Sequence, residues 1–83
     1  MADVELPADL LPLHVAAVRA DRAMTTAREA GGDVEAAREE YLAAAAALEA
    51  HSFWEERRRA GDRHAFWQAS FDAAKAALDS AAA

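Results

Sequence analysis

Three histidines are the first residues to consider, because histidine is the commonest general acid or base and metal ligand near neutral pH. His14, His51 and His64 are far apart in the chain, and none belongs to an H-x-x-x-H or E-x-x-H pair. His51 and Glu55 lie four residues apart and could share a ligand on one helical face. One such pair is weak evidence. We therefore expect exposed or helix-end histidines and predict neither a metal site nor another cofactor.

The other motifs of catalysis and phosphate binding are missing from the sequence. Ser52, Ser70 and Ser80 lie outside any G-x-S-x-G context, which rules out a nucleophile elbow. Gly31-Gly32 is too short for a phosphate-binding loop. The chain has no cysteine, so a thiolate zinc site, a cysteine nucleophile and a disulfide are excluded together. We predict no catalytic residue and a non-enzymatic protein.

The concentrated positive charge lies at Arg57-Arg58-Arg59, followed by Arg63 and His64. Such a cluster could bind phosphate or the acidic face of a partner. It also suits the C-terminus of a helix, where cations are favoured, and Glu55 can pair with Arg59. Both interpretations remain open from the sequence.

Two aromatic pairs, Phe53-Trp54 and Phe66-Trp67, flank Gly61. Adjacent residues on a helix point about 100° apart, so both rings of a pair cannot easily enter one core. Either all four rings cap a small core, or one of the first pair remains available to a partner. On the second interpretation we predict a partner-binding site formed by Phe53, Trp54, Arg57, Arg58 and Arg63.

Length and composition limit the class of protein. The 83 residues allow one small domain, and 26 of its apolar residues are alanine, which leaves few large side chains for a core. A net charge of −6 argues against a dedicated nucleic-acid binder. The N-terminus lacks a signal peptide, and no apolar run reaches the ~18 residues of a membrane span. We expect a cytoplasmic protein without membrane contact, and abundant alanine with eight arginines to one lysine is typical of GC-rich bacterial or phage genomes.

The order of glycine and aspartate predicts an all-α fold. Gly31 and Gly61 can each end a helix in a left-handed conformation, and Asp33 can cap the helix that follows. We predict a three-helix antiparallel bundle in residues 9–83, preceded by an N-terminal arm in residues 1–8. The predicted helices lie near 9–30, 33–60 and 62–80.

The middle helix contains an ambiguity. Ser52 and Glu55 have the S-x-x-E spacing of a capping box, which can start a new helix. Either the helix breaks near His51-Ser52, or it continues as a bent helix and the two rings that follow serve another contact. Of these two possibilities we favour the continuous helix.

The apolar spacing predicts which faces are buried. Tyr41 and Leu48 fall on one stripe of the second helix, and Phe71 and Leu78 on one stripe of the third, so we expect them in one core. The first helix has two stripes. A helix that is apolar on two sides has two surfaces to cover, and from the second stripe we predict a homodimer interface formed by Leu11, Val15 and Val18.

Residues 31–48 resemble part of known helical repeats. The segment from Gly32 to Tyr41, followed by Ala44, resembles the turn and second helix of a tetratricopeptide repeat, with small residues at Ala37 and Ala44 and an aromatic at Tyr41. It is also similar to the hairpin of microtubule-interacting-and-transport domains, which bind partner helices. The resemblance implies a groove that binds a peptide.

These observations predict a non-enzymatic, acidic protein-binding adaptor or regulator that self-associates. One alternative is an acidic inhibitor that occupies the basic nucleic-acid-binding surface of a target. A second alternative is nucleic-acid binding through the Arg57–Arg63 patch. The carboxylates that would serve the inhibitor are Glu35, Glu39, Glu40 and Glu49.

Overall fold

The computed structural model describes residues 5–82, and every regular element within that range is an α-helix. The prediction of an all-α fold is confirmed. Residues 1–4 of the predicted N-terminal arm lie outside the described part, and residues 5–8 precede the first helix. No described helix has the length and apolar character needed to cross a membrane. The helices are α1 (Leu10–Ala30), α2 (Val34–Glu49), α3 (Ser52–Ala60) and α4 (Arg63–Ala82).

The two glycine turns follow the local sequence rules. Gly31 has φ 69° and Gly61 has φ 79°, so both adopt the left-handed conformation that costs glycine least. The Asp33 carboxylate accepts a hydrogen bond of 3.1 Å from the backbone N–H of Ala36 and caps α2. These three predictions are confirmed. The sequence could predict them because each depends on interactions within a few residues.

The prediction of three helices is wrong, because the predicted middle helix is divided into two helices, α2 and α3. The chain leaves the helical conformation at His51, whose φ of −64° and ψ of 132° are extended. The imidazole Nδ1 of His51 accepts a hydrogen bond of 3.1 Å from the Phe53 N–H and so caps α3. Its Nε2 lies 3.0 Å from a carboxylate oxygen of Asp9. His51 therefore caps α3 in place of Ser52, the serine of the predicted capping box. Its contact with Asp9, 42 residues away in sequence, stabilises the break between α2 and α3.

α1 is the centre of the fold. α2 and α4 both pack on α1 but barely touch each other, and α3 packs on α4. The core lies where the start of α1 meets the end of α2 and α3. Of the predicted core residues, Leu48 is buried, whereas Tyr41, Phe71 and Leu78 are half-buried. The buried centre of the core comprises Leu10, Ala17, Leu48 and Trp54, with Leu6, Leu13, Ala44, Phe53, Phe66 and Trp67 packed around it.

Part of the predicted homodimer stripe on α1 faces α4. Val18 keeps 7% of its surface exposed, and Leu11 and Val15 are half-buried. Arg22, one turn beyond Val18, pairs with Asp79 of α4 at 3.0 Å. Because residues four apart share a helical face, this ion pair places Val18 on the side of α1 that faces α4, whereas Leu11 and Val15 stay predicted contacts of a dimer. The assignment of Val18 to an intermolecular interface is therefore wrong, and at this residue the second apolar side of α1 is explained by a second helix of the same chain.

Candidate functional site

The surface predicted from the aromatic and basic residues is largely internal. Trp54 has no exposed surface, so it cannot be the anchor for a partner that the sequence predicts. The break before α3 turns this ring into the core, where its Nε1–H donates a hydrogen bond of 3.0 Å to the Leu48 carbonyl. The ring centroid lies 4.9 Å from that of Trp67 and 5.2 Å from that of Phe53, which is half-buried. Trp54 is a structural residue.

Two of the predicted arginines lie over these rings. The Arg57 guanidinium lies 4.8 Å from the Phe66 ring centroid, and that of Arg63 lies 4.9 Å from the Trp67 centroid. A guanidinium cation at this distance from a ring centroid interacts favourably with the ring and stabilises an aromatic cluster. These two arginines therefore bind within the chain rather than to a phosphate.

The same arginines also form ion pairs. Arg57 contacts Asp62 at 2.9 Å, and Nη2 of Arg63 donates to both carboxylate oxygens of Glu49, at 3.1 and 2.9 Å. Among the three predicted arginines, Arg58 is the exposed one, and no ion pair joins it to another described residue. Nucleic-acid binding through this patch stays a prediction.

A concave groove lies between α2 and α4, with α1 as its floor. It encloses about 240 Å³. The groove exists because α2 and α4 both pack on α1 and meet each other at one end, where Glu49 pairs with Arg63. Its walls are mostly apolar and aromatic, with a carboxylate at each end. We call it the central groove; its lining residues are His14, Ala17, Val18, Asp21, Tyr41, Ala45, Leu48, Glu49, Trp67 and Phe71.

His14 and Ser70 form a polar pair at the floor of the central groove. His14 is 2% exposed and Ser70 is fully buried, and Nδ1 of the imidazole lies 2.6 Å from the hydroxyl oxygen. The imidazole centroid is 4.8 Å from that of Trp67 and 5.9 Å from that of Phe71. Burial among these groups lowers the pKa of His14 below its ordinary value of 6.5, and the nearby Glu49 carboxylate partly opposes the shift.

A serine hydroxyl beside an imidazole is also the arrangement of a nucleophile and its base. Ser70 has no exposed surface, however, so a substrate carbonyl cannot reach its oxygen. No group of three or more His, Cys, Asp or Glu side chains within residues 5–82 could hold a metal ion. The central groove offers a ligand apolar walls, one imidazole and carboxylates at its ends.

Acidification should destabilise the fold through His14. The folded state keeps this imidazole neutral to a lower pH than the unfolded chain does, because its pKa is lowered on folding. Below about pH 6.5 the unfolded state binds more protons, so the free energy of unfolding decreases as the pH falls through this window. Urea denaturation from pH 7.5 to 5, with an NMR titration of the imidazole, measures the effect.

A matched pair of variants isolates this contribution. We expect His14→Gln to lose most of the slope between pH 6.5 and 5, and His64→Gln, at an exposed histidine, to retain it. An unchanged slope in the His14 variant would assign the effect to other groups.

The prediction of exposed or helix-end histidines is wrong for His14, which is buried within α1. His51 and His64 do lie at helix ends, at the starts of α3 and α4. The available signal was position: His14 lies one turn from Leu10 and one from Ala17, which are both buried. A polar residue within an apolar stripe needs a polar partner, yet nothing local indicates Ser70, 56 residues away.

Comparison with known proteins yields no relative. The resemblance of residues 31–48 to tetratricopeptide repeats and to microtubule-interacting-and-transport domains stays a prediction. The chain matches no family model, no curated protein and no solved structure.

Proposed function

We propose that this chain is a non-enzymatic binding module whose central groove receives a basic amphipathic helix of a protein partner. The observation that carries the proposal is the open arrangement of α2 and α4, which both rest on α1 and leave an apolar channel between them. An amphipathic helix laid in such a groove is a common mode of recognition. The docked helix would be the third helix packed on α1, and together with α1, α2 and α4 it would form an arrangement like a four-helix bundle.

The dimensions of the groove define what such a helix presents. The lining residues of α1 run from His14 to Asp21, two helical turns or about 10 Å. A helix that follows this line can insert apolar side chains at spacings of three, four and seven residues. The half-buried rings of Tyr41 and Phe71 stand on opposite walls and would contact these side chains.

The charge of the chain favours a basic partner. Asp21 lines the groove, is exposed and forms no ion pair with another residue in 5–82. With a net charge of −6, the chain would attract a cationic helix and repel a second copy of itself from this groove. The inhibitor alternative is one form of this proposal, in which the basic helix belongs to a nucleic-acid-binding protein.

Self-association stays a second prediction, on a different surface. Leu42 on α2 is 54% exposed, more than any other large apolar side chain among the described residues. Ala43 and Ala46 beside it are also exposed. A second copy that packs here would bury an apolar patch that the predicted α1 stripe does not supply.

Site-specific photo-crosslinking tests the use of the groove. A photoreactive phenylalanine at Tyr41 replaces one ring by another on the groove wall, whereas the same group at Leu42 points about 100° away. In an extract of the native host, we expect the Tyr41 position to capture a basic amphipathic peptide, identified by mass spectrometry. We expect the Leu42 position to miss this peptide and to yield a product of twice the chain mass if the protein self-associates.

A blocking variant makes the result decisive. Ala45 lines the groove and Ala43 is exposed away from it. Ala45→Trp fills the groove and should abolish capture at Tyr41, while Ala43→Trp should leave it intact. Capture that both variants leave unchanged, or a second copy of the chain captured at Tyr41, would contradict docking of a basic helix in the groove.

A further inference from the structure

Burial determines which group donates in the hydrogen bond between His14 and Ser70. The Ser70 hydroxyl is fully buried, and its partner among the described residues is Nδ1 of His14, at 2.6 Å. A buried hydroxyl keeps its proton in a hydrogen bond, so we assign Ser70 as the donor and Nδ1 as the acceptor. In the neutral imidazole the proton then lies on Nε2.

Nε2 of His14 faces the open space of the central groove. It has no hydrogen-bond partner among residues 5–82, and it is not among the fully enclosed polar atoms that lack a partner. Since the histidine is 2% exposed and lines the groove, the groove is where this nitrogen meets free space. The pair therefore holds one N–H donor, unused within the described chain, at the bottom of an apolar channel.

The surroundings of this donor define the group that fits it. The rings of Trp67 and Phe71 lie beside the imidazole. The Glu49 carboxylate lies close enough to influence the imidazole, Asp21 lines the other end, and Lys75 lies over the Phe71 ring at 5.5 Å. Glu49 is neutralised by its ion pair with Arg63, but a carboxylate ligand would be repelled by Asp21, which forms no ion pair with another residue in 5–82. A cation would meet the positive end of an N–H. An uncharged acceptor satisfies both conditions.

We propose that the floor of the central groove is a subsite for an uncharged aromatic ring that carries a hydrogen-bond acceptor, which takes its hydrogen bond from Nε2–H of His14. This inference rests on the proposed function, because the ring is supplied by a side chain of the docked helix, such as a tyrosine. The whole groove, of which this subsite is a part, has a volume of about 240 Å³, and a cavity of roughly 150 Å³ accommodates benzene.

Two small probes of similar size test the subsite without the partner. Quinoline is uncharged at pH 7.5 and carries a ring acceptor, whereas indole carries a ring N–H donor. Followed by NMR titration at millimolar concentration, quinoline should bind about three- to tenfold more tightly than indole, the effect of one net hydrogen bond. It should also shift the His14 Nε2 and Trp67 resonances.

Variants assign the preference to the imidazole. His14→Phe keeps a ring but removes the donor, so quinoline should lose its advantage over indole. His64→Phe, at an exposed position, should leave that advantage unchanged. The ¹⁵N spectrum of the unsubstituted protein shows which imidazole nitrogen is protonated, a measurement that does not depend on the folding of any variant.

The outcomes separate this subsite from helix docking. Equal binding of the two probes, no binding of either, or a proton found on Nδ1 would overturn the subsite. Each of these results is compatible with intact crosslinking at Tyr41, and loss of that crosslinking would instead overturn the docking proposal. Both proposals are supported if quinoline binds more tightly than indole, if the His14 proton lies on Nε2, and if Tyr41 captures a peptide that contains a ring-bearing residue.

Discussion

Replacement of Trp54 by alanine is expected to lower the free energy of unfolding by about 3–5 kcal/mol, the range for a fully buried large aromatic side chain. The change removes contacts with two neighbouring rings and leaves the Leu48 carbonyl without the indole N–H that donates to it. At ~0.05–0.15 kcal/mol per residue, a chain of 83 residues has about 4–12 kcal/mol in total. Much of the variant protein should therefore be unfolded, as urea denaturation followed by circular dichroism can measure.

Two further variants test the cause of this loss. Trp54→Phe retains one ring and removes the N–H donor together with part of the indole volume, so we expect a smaller cost of about 1–3 kcal/mol. Trp67→Ala removes a half-buried ring and should also cost less than Trp54→Ala. The opposite order of the two alanine variants would contradict the packing of α3 against the core.

Leu48→Ala should cost about 2–5 kcal/mol, because Leu48 is 1% exposed at the junction of α1, α2 and α3. Leu42→Ala is the matched control: it is the same substitution on the same helix, at a side chain that is 54% exposed. We expect the control to change stability by no more than about 0.5 kcal/mol. Thermal melting of both variants measures the difference, and equal melting temperatures would show that the buried face of α2 is assigned wrongly.

The parts of the fold that the sequence predicts correctly are local. Gly31, Gly61 and Asp33 define helix ends through their own backbone preferences and through bonds that span three or four residues. Leu48 is placed correctly because the spacing of apolar residues on α2 identifies its buried face. Such features depend on nothing beyond the neighbouring residues.

The features that the sequence does not reveal depend on distant contacts. The break at His51 is stabilised partly by Asp9, and it decides that Trp54 points inward. A continuous helix would direct this ring elsewhere, which is why an exposed anchor is a reasonable but wrong prediction. His14 likewise acquires its role from Ser70 on another helix. The central groove itself depends on how far apart α2 and α4 lie, and no spacing within either helix encodes that distance.

The central position of α1 affects how the protein is made. α1 is synthesised first, yet the groups that cover it come later: Leu48 and Trp54 pack with Leu10, and Ser70 bonds to His14. Until all of these residues have been synthesised, part of the apolar surface of α1 is uncovered. Folding of this region therefore requires that α4 has been synthesised, and a fragment that ends before Ser70 should be a substrate for chaperones and proteases rather than a smaller working domain.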